Sequence, residues 1–200
     1  MRSLLLGTRN PGKVIEIASI LADSGWSFSS LQEFPDVGEA EENFVTFAEN
    51  AIAKACFYAS ATGLCALADD SGLEVAALNG APGIFSARYA GANASDADRR
   101  TLLLSELNNT GDSNRRARFV AVVAIANANG EVLNVSEGVC EGLITFSPRG
   151  TGGFGYDPLF VPDGYDKTFA ELPDTVKNLI SHRARALMRT KEFLLSRTSC

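Results

Sequence analysis

Asp69-Asp70-Ser71-Gly72 places two adjacent carboxylates directly after the apolar run Leu64–Ala68. Acids at the mouth of a buried strand are costly unless solvated, hydrogen-bonded or bound to a metal. If the backbone stays extended there, the two side chains face opposite ways. Only one then reaches a pocket, and the other is left to accept backbone hydrogen bonds and hold the loop. A solvent-facing turn is the plain alternative. Glu41-Glu42 forms a second acidic pair, ahead of a capped helix. A carboxylate from that pair brought near Asp70 would make a hard oxygen site suited to magnesium. Spacing alone does not bring them together.

Thr8-Arg9-Asn10-Pro11-Gly12-Lys13 can gather backbone N–H groups, a hydroxyl, an amide and an ammonium, a combination suited to phosphate. It is not a Walker A loop, because the glycine spacing is wrong and no Lys-Ser/Thr pair closes it. Taken alone, a surface turn is the plainer reading. Gly150-Thr151-Gly152-Gly153-Phe154-Gly155-Tyr156-Asp157-Pro158 puts two aromatic rings on a flexible loop, where a ring could stack on a base or simply pack inward. Lys177 and Ser181-His182-Arg183 complete the set, and His182 is the single histidine of the chain. Cations in the first turn of a helix oppose its dipole, so an external acceptor would justify them. A phosphate, a nearby acid or a base carbonyl would serve.

The elements that must position these residues read as mixed α/β. Ser3–Gly7 is a short buried strand, Thr8–Gly12 a turn, and Val14, Ile17, Ala18 and Leu21 form the apolar stripe of a helix. Thr46 and Glu49 have capping-box spacing at the start of an alanine-rich helix. The strand Leu64–Ala68 should end abruptly at the two acids, with Leu73–Leu78 extended beyond them. A helix over Asp98–Leu107 follows, capped by Ser95 or Asp96. Ala117–Ala126 and Glu131–Val139 read as strands joined at Asn129-Gly130, a hairpin signal. A last helix spans Ile180–Leu195. One continuous mixed sheet in one domain, residues 1–200, is the expected arrangement.

The chain has 200 residues, 46% of them hydrophobic and 21% charged, which suits a soluble globular protein. Its formal net charge of −6 argues against a nucleic-acid polymer as partner, since such binders carry a basic patch. A small phosphorylated ligand needs only local cations. Cys56, Cys65, Cys140 and Cys200 match no zinc or redox spacing, so four free thiols in a cytoplasmic protein are expected. The amino terminus has no signal-peptide pattern, and the longest apolar run, Phe119–Ala126, is too short to span a bilayer. No membrane association is expected.

Taken in order, TRNPGK (Thr8–Lys13), TFAENAIAKA (Thr46–Ala55), ADDSGLEV (Ala68–Val75), GAPGIFSARYAG (Gly80–Gly91), GTGGFGYDPLF (Gly150–Phe160) and SHRARAL (Ser181–Leu187) resemble the Ham1/RdgB-like inosine triphosphate pyrophosphatase family. The resemblance implies an elongated mixed-sheet α/β fold with two lobes around a central nucleotide cleft. It implies a homodimer and magnesium-dependent hydrolysis of ITP, dITP and XTP to the monophosphate and pyrophosphate, cleansing the nucleotide pool. By the same likeness the stretch Thr8, Arg9, Asn10, Pro11, Gly12 and Lys13 binds substrate, with Thr8, Asn10 and Lys13 along the triphosphate. Arg9 stands where some relatives carry glycine. Lys13 and Asp70 are the catalytic pair, with Asp70 as proton acceptor. Glu41 and Asp70 are the metal ligands, and Ser71 is a substrate contact. Phe154, Gly155, Tyr156 and Asp157 line the nucleoside site. Lys177, His182 and Arg183 reach the base.

Overall fold

The computed structural model describes residues 2–198. A six-stranded sheet has the order β2-β1-β3-β4-β5-β6, formed by β1 (Ser3–Leu6), β2 (Ser27–Ser30), β3 (Ala66–Val75), β4 (Arg116–Ala126), β5 (Val132–Ile144) and β6 (Phe160–Pro162). β1 pairs in parallel with both β2 and β3, while β5 and β6 run antiparallel. Only residues 127–131 separate β4 from β5, too short for a parallel crossover, so these two form the expected hairpin. The helices are α1 (Pro11–Leu21), α2 (Phe47–Thr62), α3 (Asp96–Asn109), α4 (Asp174–Ile180) and α5 (His182–Leu195).

The chain divides into two compact units, one of residues 1–70, 121–138 and 183–200, the other of residues 71–120 and 139–182. The first has a core of Leu4, Leu6, Ile17, Leu21, Leu67 and Val123 with Leu187 and Leu194 of α5. Each such side chain removed from water contributes roughly 1.5–3 kcal/mol. Trp26 closes this core and donates its indole N–H to the Leu194 carbonyl at 3.1 Å. The second unit is built on Leu73, Leu103, Leu107, Phe119, Phe160 and Phe169.

Short-range signals set the helix starts. Asn10 caps α1 by accepting from the Lys13 N–H, with Pro11 in the first turn. Thr46 caps α2 through the Glu49 N–H, and Gly63, at φ 68°, closes its far end. Ser95 and Asp98 form a reciprocal capping box on α3.

Three expectations are corrected. β3 does not stop at the acids: it runs from Ala66 through Asp69-Asp70-Ser71-Gly72 to Val75. Strand hydrogen bonding overrides the local turn chemistry, and the Ser86 hydroxyl accepts the Leu73 N–H at 2.9 Å. The final helix starts at His182 rather than Ile180, because Ser181 is extended (φ −66°, ψ 157°) and separates it from α4, a helix that was not expected. Cys56 and Cys140 are free thiols, but Cys65 is disulfide-bonded. Pairing follows spatial approach, which sequence spacing does not report.

Candidate active site

The continuation of β3 through its acids decides the site. Strand pleating turns Asp69 and Asp70 to opposite faces, and each meets a different lysine of the first unit. Asp69 Oδ2 lies 3.0 Å from Lys13 Nζ and 3.2 Å from Arg183 Nε. Arg183 also pairs with Glu16 of α1. Asp70 Oδ1 lies 3.0 Å from Lys54 Nζ, which is 2.7 Å from Glu42. The cluster therefore holds three cations and four carboxylates.

Burial acts on these groups unequally. It works to raise the Asp69 carboxyl, but Lys13, Arg183 and Lys54 outweigh it and hold Asp69 well below the usual range. For Asp70 burial wins over the attraction of Lys54, so its carboxyl is raised. Lys13 is lowered, chiefly by burial, against the pull of Asp69. Lys54 is raised, because Asp70, Asp69 and Glu42 overcome the burial that works against its charge. Successive acids thus have opposite characters: Asp69 is a fixed anion and Asp70 the more basic carboxylate.

The loop Thr8–Lys13 organises itself. The Thr8 hydroxyl accepts from the Asn10 N–H at 3.2 Å, and Asn10 in turn caps α1. Lys13 is half-buried, and Pro11 is exposed beside half-buried Gly12. Arg9 takes a different course from the rest of the stretch. Its guanidinium donates to the Val37 carbonyl at 2.6 Å and strands the segment 31–37 against the loop. Gly7, just before the loop, is required by packing: a Cβ there would stand 2.7 Å from the Tyr58 ring.

The second carboxylate also differs from expectation. Glu41 is exposed and accepts from the Asn43 side chain at 3.0 Å. Glu42 is the acid brought to Lys54 and Asp70. The loop carrying it is tied to α2, where the Tyr58 hydroxyl accepts from the Ala40 N–H and the Asn50 side chain accepts from the Phe44 N–H. Two neighbouring acids in irregular chain look alike in sequence, and these tertiary bonds choose between them.

In the second unit, Asp157 Oδ2 accepts from the Phe154 N–H at 3.0 Å and from Lys177 Nζ at 2.8 Å. Lys177 also lies 4.9 Å from the centre of the Phe154 ring, a cation–π distance. The Asp157–Lys177 pair is almost fully buried. Tyr156 donates its hydroxyl to the Ser86 carbonyl at 3.0 Å, and burial pushes its phenol above the usual range. Gly155 has φ 59°. His182 is buried with its ring stacked 4.6 Å from that of Phe119. Ser71 is half-buried.

The structure therefore groups Lys13, Asp70 and Arg183 in one unit, and Phe154–Asp157, Lys177 and His182 in the other. Arg183 pairs through its guanidinium with Asp69 and Glu16. Lys54 was not anticipated. Its signal was available, since it falls on the buried α2 stripe with Phe47, Ala51, Ala55 and Tyr58. A lysine on an apolar helix face needs a carboxylate partner.

The residues fit a hard cation. Asp70 Oδ2 is buried with no hydrogen-bond partner among the described residues, and Glu42 converges on the same ammonium as Asp70. No group of three or more His, Cys, Asp or Glu side chains among the described residues makes a metal cage.

Parallel strand pairing, a capped loop-to-helix junction after β1 and two buried acids within β3 define an α/β protein of the kind in which such junctions serve as ligand sites. The chain belongs to the Ham1 family, whose model matches residues 4–193. It is 51% identical over 191 residues to a dITP/XTP pyrophosphatase of Desulforamulus reducens, covering 96% of this chain and 94% of that protein. It is 50% identical to one of Geobacter sulfurreducens, covering 97% of each. Among solved structures, a HAM1 protein from Coxiella burnetii superposes with a TM-score of 0.90 at 46% identity, over 98% of this chain and 100% of that one. The Staphylococcus aureus Ham1 protein does so with 0.85 at 40%, over 98% and 99%. The mixed α/β architecture is thus that of the Ham1 proteins.

Proposed function

We infer that the chain hydrolyses non-canonical purine nucleoside triphosphates, dITP and XTP among them, to the monophosphate and pyrophosphate. The observation that carries this reading is the relationship along almost the whole chain to proteins named dITP/XTP pyrophosphatases, at about half identity. The charged cluster of the first unit has the chemistry such a reaction needs.

We further propose magnesium as the cofactor, held by Asp70 and Glu42 together with phosphate oxygens. When bound it would neutralise phosphate charge and polarise the reacting phosphorus. Asp70 accepts the proton of the attacking water. The new P–O bond forms at the alpha phosphorus, and the bond to the bridging oxygen breaks to release pyrophosphate. Lys13, fixed by Asp69, places positive charge on the phosphates as charge shifts to the leaving group. Lys54 holds Asp70 and Glu42 in register. Thr8 and Asn10 shape the loop beneath the phosphates.

The Phe154–Asp157 loop and Lys177 take the nucleoside. Hypoxanthine and xanthine present a C6 carbonyl where adenine presents an amino group, so a donor such as His182 discriminates between them. An unpaired buried polar group costs about 1–3 kcal/mol. Guanine shares the carbonyl, and a further contact must reject its amino group. Homodimerisation and a cytoplasmic location are proposed on the family resemblance. No helix among the described residues is long and apolar enough to cross a membrane.

The deciding experiment incubates the protein with dITP, XTP, GTP and ATP, with and without magnesium, and scores pyrophosphate. Release of pyrophosphate from dITP and XTP is expected. Orthophosphate alone, or equal rates on all four, would defeat the reading.

A further inference from the structure

The loop leading to Tyr156 has no regular secondary structure and carries glycine at 150, 152, 153 and 155. Unheld, such a segment has high conformational entropy and offers a ligand no fixed surface. Yet the backbone of Gly155 is held at both its N–H and its carbonyl. The N–H donates to Asp96 Oδ2 at 2.7 Å, and the carbonyl accepts from Arg100 Nη1 at 2.7 Å. Both side chains come from the first turns of α3, four residues apart and so on one helix face. Asp96 is itself steadied by Arg99. Partial burial works to raise the Asp96 carboxyl, but Arg99 and the Gly155 N–H overcome it and hold it low, so it stays a charged acceptor.

The neighbours of Gly155 are the groups assigned to the nucleoside. Phe154, one residue before, has its N–H on Asp157, which also holds Lys177. Fixing the Gly155 peptide therefore fixes the direction of the Phe154 ring and the reach of Lys177. Charge-assisted bonds are about twice as strong as neutral ones, and here both backbone groups of one residue have them, so the peptides on either side of Gly155 are held.

We propose that Asp96 and Arg100 are positioning residues for the nucleoside end of the substrate, acting through the Gly155 peptide without touching the ligand. This rests on the pyrophosphatase reading above. Asp96 and Arg100 lie in the second unit, whereas the proton acceptor Asp70 lies in the first. Their loss therefore weakens substrate capture and leaves the chemical step in place.

The test measures kcat and KM for dITP in R100A, R100K and D96N, with hydrogen exchange of the peptide covering residues 153–157. R100A is expected to raise KM about tenfold, with kcat within about threefold of the starting value and faster exchange in that peptide. R100K keeps one donor for the Gly155 carbonyl and should recover most of the loss. An unchanged KM in folded R100A, or a fall in kcat alone, overturns the proposal. Should R100A not fold, D96N decides: a raised KM with faster local exchange supports the clamp, and neither change refutes it. If the unaltered protein turns over no nucleotide, the functional reading fails by itself. Exchange in residues 153–157 then still separates a clamp, where the variants loosen it, from none, where they do not.

Discussion

Asp69 and Asp70, successive residues of β3, bind different lysines at the same distance: Lys13 meets the first at 3.0 Å and Lys54 the second at 3.0 Å. Their pKa values move in opposite directions, down for Asp69 and up for Asp70. Dissimilar environments for neighbouring carboxylates are how one site obtains both a permanent charge and a proton acceptor.

Asp70→Asn removes the proposed proton acceptor while keeping side-chain shape. Circular dichroism should stay native, and pyrophosphate release should fall about 100-fold or more, the usual scale for general-base loss. Near-normal turnover in this variant would take Asp70 out of the mechanism.

Glu42 and Glu41 can be told apart by magnesium titration. Glu42→Gln should raise the magnesium concentration needed for half-maximal rate by about tenfold, whereas Glu41→Gln should leave it near the unaltered value. Stripping divalent ions with a chelator should abolish activity, and added magnesium should restore it. The reverse ranking of the two variants would return the metal role to Glu41.

Lys54→Met leaves Asp70 and Glu42 facing each other without their shared ammonium. Removing one partner of a buried pair costs about 3–5 kcal/mol. Glu42 keeps a third of its side chain in water, so a loss of about 2–4 kcal/mol in urea unfolding is expected. A stability change under about 0.5 kcal/mol, the scale of an ordinary surface substitution, would mean that the ammonium matters little to the fold.

Acid stability follows from Asp69. Its folded pKa lies below the ordinary value of 3.8, so the unfolded chain binds the proton more readily. The stabilisation is present above that ordinary value and is lost as pH falls through the folded one. Urea midpoints measured from pH 5 downward should decline, and Asp69→Asn should flatten that decline. Parallel curves for the two proteins would contradict the assignment.

Much of the fold was legible because its signals are local. Thr46 and Glu49 announced α2, the 127–131 turn announced its hairpin, and six motifs in order pointed to the family. The site was harder. Ser71-Gly72 after two acids looks like a turn, yet sheet pairing and the Ser86 hydroxyl keep the chain extended. For Arg183 the sequence left a phosphate, a nearby acid or a base carbonyl open as acceptor, and the structure supplies acids. Its partners Asp69 and Glu16 are 114 and 167 residues away in the chain. Glu42 was chosen over Glu41 by bonds from Tyr58 and Asn50, which no local pattern encodes. Lys54 alone was readable in principle, as the one charged residue on the largely apolar buried stripe of α2.

The unbroken run of β3 through its acids also limits what evolution or engineering can do there. Side chains on a strand are assigned to faces by odd and even count. Deleting one residue between Ala66 and Asp69 would put Asp70 in Asp69's place, toward Lys13 instead of Lys54, and inserting one would put Asp69 in the place of Asp70. Point substitutions in this stretch change one partner at a time, but a frame slip of a single position exchanges them all. Length polymorphism should therefore be absent from this strand and confined to the surface loops on either side.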